Sequence, residues 1–184
     1  IVVTGISSSF VIMAQAMEPD NFKKIILVNP SDINIIREMP TKETKAAKTI
    51  LEIPILGTFI YNLIMHHKRI RNYIESKYFF KKTFLSSKLE DTYFESAHKG
   101  NSAGKYLLAS TKGNYVNIDI TNAVKKADNL YIISSRERNN AVAITEKYLH
   151  LNKNIEATYI SNSRYLPQLE TPDKFKDIVL MFLQ

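Results

Sequence analysis

Four short apolar runs punctuate the chain: Ile1-Val2-Val3-Thr4, Ile25-Ile26-Leu27-Val28 within Lys24 to Pro30, Leu130-Tyr131-Ile132-Ile133-Ser134-Ser135, and Ala157-Thr158-Tyr159-Ile160-Ser161. Their brevity and near-continuous apolar character predict strands of a parallel sheet covered on both faces. Helical patterns separate them. The first, Phe10 to Glu18, is apolar nearly all round over Phe10–Met17, which predicts burial under the sheet's covering layer, and Pro19-Asp20-Asn21 stops it. Asn140 to Leu151 reads as a crossover helix, and residues 31–112 are mostly helical in pattern. Strands alternating with helices predict an α/β fold, a mostly parallel sheet with helices on both faces.

Between the first strand and the first helix stands Gly5-Ile6-Ser7-Ser8-Ser9. Small residues at alternate positions suit a sharp strand-to-helix turn that lifts the central hydroxyl above the sheet, where the first N–H groups of the helix stabilise an oxyanion. Ser7 is the candidate nucleophile. The plainer alternative is an ordinary strand-turn-helix with a serine-rich start.

The ordered series of elements, with this elbow, resembles the C-terminal part of the α/β-hydrolase superfamily over the whole of Ile1 to Gln184. Lys24–Pro30 looks like the family's sixth strand, Leu130–Ser135 its seventh and Ala157–Ser161 its eighth. Tyr165 to Phe175, with Pro167, Glu170, Pro172 and Phe175, resembles the Pro-His-x-Glu-x-Pro-x-x-Phe segment that carries the base in many of these enzymes. The resemblance implies a core at 1–30 and 113–184 and a helical cap at 31–112. It implies hydrolysis of a small ester or acyl substrate by water, without a cofactor, with Ser7 as nucleophile and the Ser8 N–H as one oxyanion donor. The apolar stretch Ile50–Met65, broken by Glu52, Pro54 and Gly57, is too interrupted to span a membrane. It resembles the cap segment that roofs such sites, with ordinary cap packing as the alternative to pocket lining.

Two positions depart from the family's pattern. Gln168 stands where the base His is expected, and an amide cannot take up a proton near neutral pH. Arg138 or Asn139 falls nearest the place of the acid, and Glu137 substitutes for it only with a shift of register. Removing the base of a serine protease costs about 10⁶ in turnover. The expectation is therefore a serine-hydrolase type protein of weak activity. Its alternative is an inactive pseudo-hydrolase that binds a small apolar ligand or a protein partner through its cap.

Composition changes this picture little. With 45% apolar residues, 184 residues can build one core. There is no cysteine, which excludes disulfides and thiolate metal sites and is compatible with the cytoplasm. Heavy use of Lys, Ile and Asn is common in proteins of AT-rich bacterial genomes. The net charge of +7 is densest from His66 to Lys82. Ile70, Tyr73, Ile74, Lys77 and Tyr78 recur there at helical spacing, predicting an inward apolar face and solvated cations, and no nucleic-acid partner. Of the four histidines, only His98, at the return from cap to core, has a route to Ser7 as a rescuing base. His66 and His67 are adjacent and point about 100° apart on a helix, so no metal site is expected. A strand beginning at residue 1 is central in the family's sheet. The chain is accordingly read as a fragment whose open edge favours self-association.

Overall fold

A computed structural model describes all residues, 1–184. The chain forms two compact units, one of residues 1–37 and 118–184 and one of residues 38–117. The first contains β1 (Val2–Thr4), α1 (Ser7–Met17), β2 (Ile25–Val28) and α2 (Ile33–Ile36). The second is all helical: α3 (Lys42–Glu52), α4 (Pro54–Ile64), α5 (His67–Tyr73), α6 (Ser87–Ser102) and α7 (Gly104–Lys112). The chain then returns to the first unit through α8 (Thr121–Lys126), β3 (Leu130–Ser135), α9 (Ala141–Leu151), β4 (Glu156–Ile160), α10 (Pro167–Glu170) and α11 (Pro172–Leu183).

In the first unit the four strands are all parallel and lie in sequence order, β1-β2-β3-β4. Leu27 pairs with Val3 on one side and Ile132 on the other. Parallel neighbours need long crossovers, and alternate side chains take opposite faces. Ile25, Leu27, Leu130 and Ile132 pack with Ile12 of α1, Val124 of α8 and Tyr148 of α9. Ile26, Val28, Ile133 and Ile160 pack on the other face against Phe175, Ile178 and Phe182 of α11. Helices thus cover both faces, as the apolar runs predict. β1 is an edge strand, and its Val2 is 49% exposed.

α1 corrects one expectation. It is not buried all round: Phe10 is 45% and Met17 76% exposed, while Ser8, Ser9 and Gln15 are on the buried side with Ile12. Ser9 Oγ fits there because it donates to the Ile6 carbonyl at 2.7 Å, and Gln15 Nε2 donates to the Asp128 carbonyl at 2.9 Å.

In the helical unit, Thr41 and Thr44 form a reciprocal cap that starts α3. Pro54 cannot continue that helix but is suited to the first position of the next, so α3 and α4 meet at 98° across Ile53. A Cβ on Gly57 would sit 1.9 Å from the Leu51 carbonyl oxygen, so the corner requires glycine. No single helix is long and apolar enough to cross a membrane. α4 presents Tyr61, buried and donating to the Ala97 carbonyl at 2.6 Å, and Asn62, which accepts from Ser102 Oγ at 2.8 Å, to its own unit. The two ends of the unit meet, with Asn117 Nδ2 donating to the Glu38 carbonyl at 3.0 Å.

Candidate functional site

Open parallel sheets carry their sites beyond the carboxyl ends of the strands. At β1 the chain leaves the sheet through Gly5, whose N–H still donates to the Val28 carbonyl at 3.0 Å. Gly5 has φ +61°, a left-handed backbone that glycine alone adopts freely. Ile6 is already helical, and Ser7 is the first residue of α1, exposed, without a left-handed φ. The strain of this turn therefore falls on Gly5, two residues before the serine expected to carry it. No hydrogen bond joins Ser7 to Gln168 or to any acid.

The first N–H groups of α1 make local bonds. The Ser8 N–H donates to the Gly5 carbonyl at 3.1 Å, and the Ser9 N–H to the Ile6 carbonyl at 3.0 Å. The Ser8 N–H is thus occupied in closing the turn. The Ser8 side chain is buried, and its hydroxyl has no partner.

At β2 and β3 the ends are locked together. Asn29 is fully buried with φ +48°, a conformation asparagine tolerates better than most residues. Its Oδ1 accepts from the Ser135 N–H at 2.8 Å, and its Nδ2 donates to Ser135 Oγ at 3.0 Å and to the Tyr165 carbonyl at 3.1 Å. Ser163 Oγ adds a bond to Ser135 Oγ at 2.7 Å. This network ties β2, β3 and the segment after β4 into one frame. Sequence reading missed it, although an Asn ending a buried strand just before a Pro was a signal for a special turn.

Glu137 belongs to the same frame. Its carboxylate accepts from the Asn162 N–H at 2.9 Å and the Ser163 N–H at 3.2 Å, so it holds the turn after β4. No histidine hydrogen-bonds it. Next to it Arg138 is buried, its guanidinium 5.2 Å from the centre of the Tyr165 ring, with Nε and Nη1 unpartnered. Asn139 is exposed. Gln168 lies in the short helix α10 rather than in a loop, and its Oε1 is buried without a partner. Glu170, the acid of the resembled segment, is buried and accepts from the Arg164 N–H at 2.7 Å.

One charged pair flanks these ends. Lys147 Nζ lies 2.7 Å from Asp32 Oδ2, and Asp32 also caps α2 by accepting from the Asn34 N–H at 2.9 Å. Burial acts to raise the Asp32 carboxyl, but the bonds from Lys147 and Asn34 and the charges of Lys147 and Arg138 outweigh it and hold it below the usual value. Tyr148, buried near it, donates to the Ser31 carbonyl at 2.9 Å, and burial keeps its phenol neutral by pushing its pKa upward.

No histidine is hydrogen-bonded to Ser7. His98 is held locally, its Nδ1 2.9 Å from the Phe94 carbonyl and its ring 4.2 Å from that of Phe94. His150, the single histidine of the sheet unit, is exposed on the last turn of α9. α9 runs back from the carboxyl end of β3, which carries that turn to the opposite end of the sheet. The basic segment is partly neutralised: His67 pairs with Glu90 at 2.8 Å and Asp91 at 3.2 Å, and Arg71 with Glu75 at 3.1 Å and Glu90 at 3.3 Å. Ile70 and Ile74 face inward as expected, but Tyr73 is 58% exposed.

No model of a known protein family matches the chain, and no curated protein does. Solved structures do. All of the chain superposes on Cfl2 from Burkholderia cenocepacia with a TM-score of 0.73 at 11% identity, covering 64% of that chain. A serine hydrolase from Cycloclasticus zankles gives 0.70 at 13% identity, with 62% of that chain covered. A variant of the meta-cleavage product hydrolase from Pseudomonas fluorescens IP01 gives 0.71 at 14% identity, with 63% covered. The chain carries the α/β-hydrolase fold. It spans under two thirds of the length of these three neighbours.

Proposed function

We propose that this protein is a catalytically reduced α/β-hydrolase-fold protein, a pseudo-hydrolase that binds a small ligand at the carboxyl ends of its strands. The observation that carries this reading is the state of the three relay positions. Ser7 has no base bonded to it, Gln168 cannot take its proton, and the Glu137 carboxylate is engaged by two backbone N–H groups. A glycine occupies the strained position of the turn. The unpartnered buried atoms of Ser8, Arg138 and Gln168 favour a polar ligand group at this end of the sheet, since buried polar groups are normally paired.

A second reading keeps Ser7 as the nucleophile of a weak hydrolase for a small ester or acyl substrate. It is favoured by the exposed position of Ser7 at the carboxyl end of β1 and the start of α1. A fluorophosphonate probe separates the two. The pseudo-hydrolase should show no labelling that Ser7→Ala removes, and its turnover of p-nitrophenyl acetate should match that of the variant. Stoichiometric labelling at Ser7 would establish the hydrolase instead.

A further inference from the structure

The helical unit contains a cavity of about 500 Å³ of its own, formed by the end of α4, α5, the turn that follows it, α6 and α7. Its size falls in the range of about 300–1,000 Å³ usual for small-molecule sites. Ile70, Ile74 and Leu108 make its lining apolar, and Tyr93 is half-buried in the wall. Burial pushes the Tyr93 phenol pKa upward, which keeps the hydroxyl protonated as a donor. The segment Ile74–Tyr78 is a π turn, an irregularity that aims side chains differently from an α-helix and recurs at functional sites.

Charge gives the cavity a polarity. Arg69 and Lys112 line it from α5 and α7, and neither side chain makes a hydrogen bond or an ion pair. No acidic residue lines it. The nearby acids are engaged by other partners, Glu75 by Arg71 and Glu90 by His67 and Arg71. Two unneutralised cations beside an apolar hole complement a molecule with one anionic end and an apolar body.

We propose that this cavity binds an amphipathic carboxylate, with the carboxylate on Arg69 and Lys112 and the apolar chain against Ile70, Ile74 and Leu108. The site belongs wholly to the helical unit and needs neither Ser7 nor Gln168. Calorimetric titration of the whole chain with octanoate, octan-1-ol and octyltrimethylammonium tests it. Octanoate should bind about tenfold more tightly than octanol, the scale of a charge-assisted contact, and the ammonium should bind least. The pair Arg69→Gln and Lys112→Gln, both on exposed side chains, should remove that advantage while leaving octanol affinity unchanged. Ile74→Trp should fill the hole and weaken octanoate and octanol together, with its melt confirming that it folds. Equal affinity for octanoate and octanol would overturn the proposal, as would full octanoate binding by the Gln pair. Ester turnover and equilibrium binding are separate readouts, so the proposals for Ser7 and for this cavity can fail independently.

Discussion

The carboxyl ends of β1 and β3 belong to one sheet but are built on opposite plans. At β3 the hydroxyl and the carboxylate are tied into the frame: Ser135 to Asn29 and Ser163, Glu137 to the turn after β4. At β1 the serine stands in solvent with nothing to activate it. A proton relay needs groups held in place yet free to exchange a proton. Here one end has positioning without freedom and the other has freedom without positioning, and the proposed binding role rests on that contrast.

The sharpest break in this comparison is Asn29→Ala. It would leave the Ser135 N–H and the Tyr165 carbonyl without their partner and place alanine at a left-handed position, so a loss of about 4 kcal/mol is expected in urea unfolding. A loss below about 1 kcal/mol would show that the frame is not cooperative. Glu137→Gln should cost about 1–2 kcal/mol, because the amide oxygen can accept one of the two backbone bonds while its NH₂ opposes the other. If ester turnover fell while the melt held, Glu137 would be an acid of the relay after all.

Asp32→Asn sharpens the electrostatics. The folded carboxyl lies below its ordinary value of about 3.9, so its contribution is present above that pH and fades as pH falls through the folded value. The variant keeps the cap on α2 but should flatten the acid limb of the stability profile below about pH 4, by less than about 1 kcal/mol. An unchanged acid limb would dissociate the Lys147 pair from stability. Gln168→His should have the smallest effect, raising p-nitrophenyl acetate turnover less than about tenfold, whereas a recruited base contributes about 10²–10⁴. A rise in that higher range would mean that α10 brings the new imidazole to Ser7.

The sheet was legible because each strand is a short apolar run closed by a breaker, a signal carried within a few residues. Pro54 and Gly57 were legible as interruptions of an apolar stretch, but the corner that they make between α3 and α4 was not. The frame around Asn29 was not, since its partner Ser135 lies 106 residues away and nothing local announces the pairing. Nor could composition tell that α1 turns Ser8, Ser9 and Gln15 inward and Phe10 outward, because that depends on what packs against it. At the elbow, a pattern of small residues does not say which of them takes the left-handed turn, and the structure gives it to Gly5. The cavity of the helical unit left a trace in the spacing of Ile70, Tyr73, Ile74 and Tyr78, all of which line it, although that spacing did not foresee the exposure of Tyr73.

The bond between Asn117 and Glu38 has a consequence for how the gene can be handled. An insert whose two ends lie side by side enters and leaves its host at one point, so removing it leaves a gap that a very short connection closes. Joining Arg37 to Ile118 through a few glycines would replace a crossover of 80 residues with a small loop at low closure entropy. The same adjacency lets residues 38–117 be moved as a cassette into another scaffold, or recut with new termini in its interior. Transplantation of the unit would test whether it folds apart from the sheet.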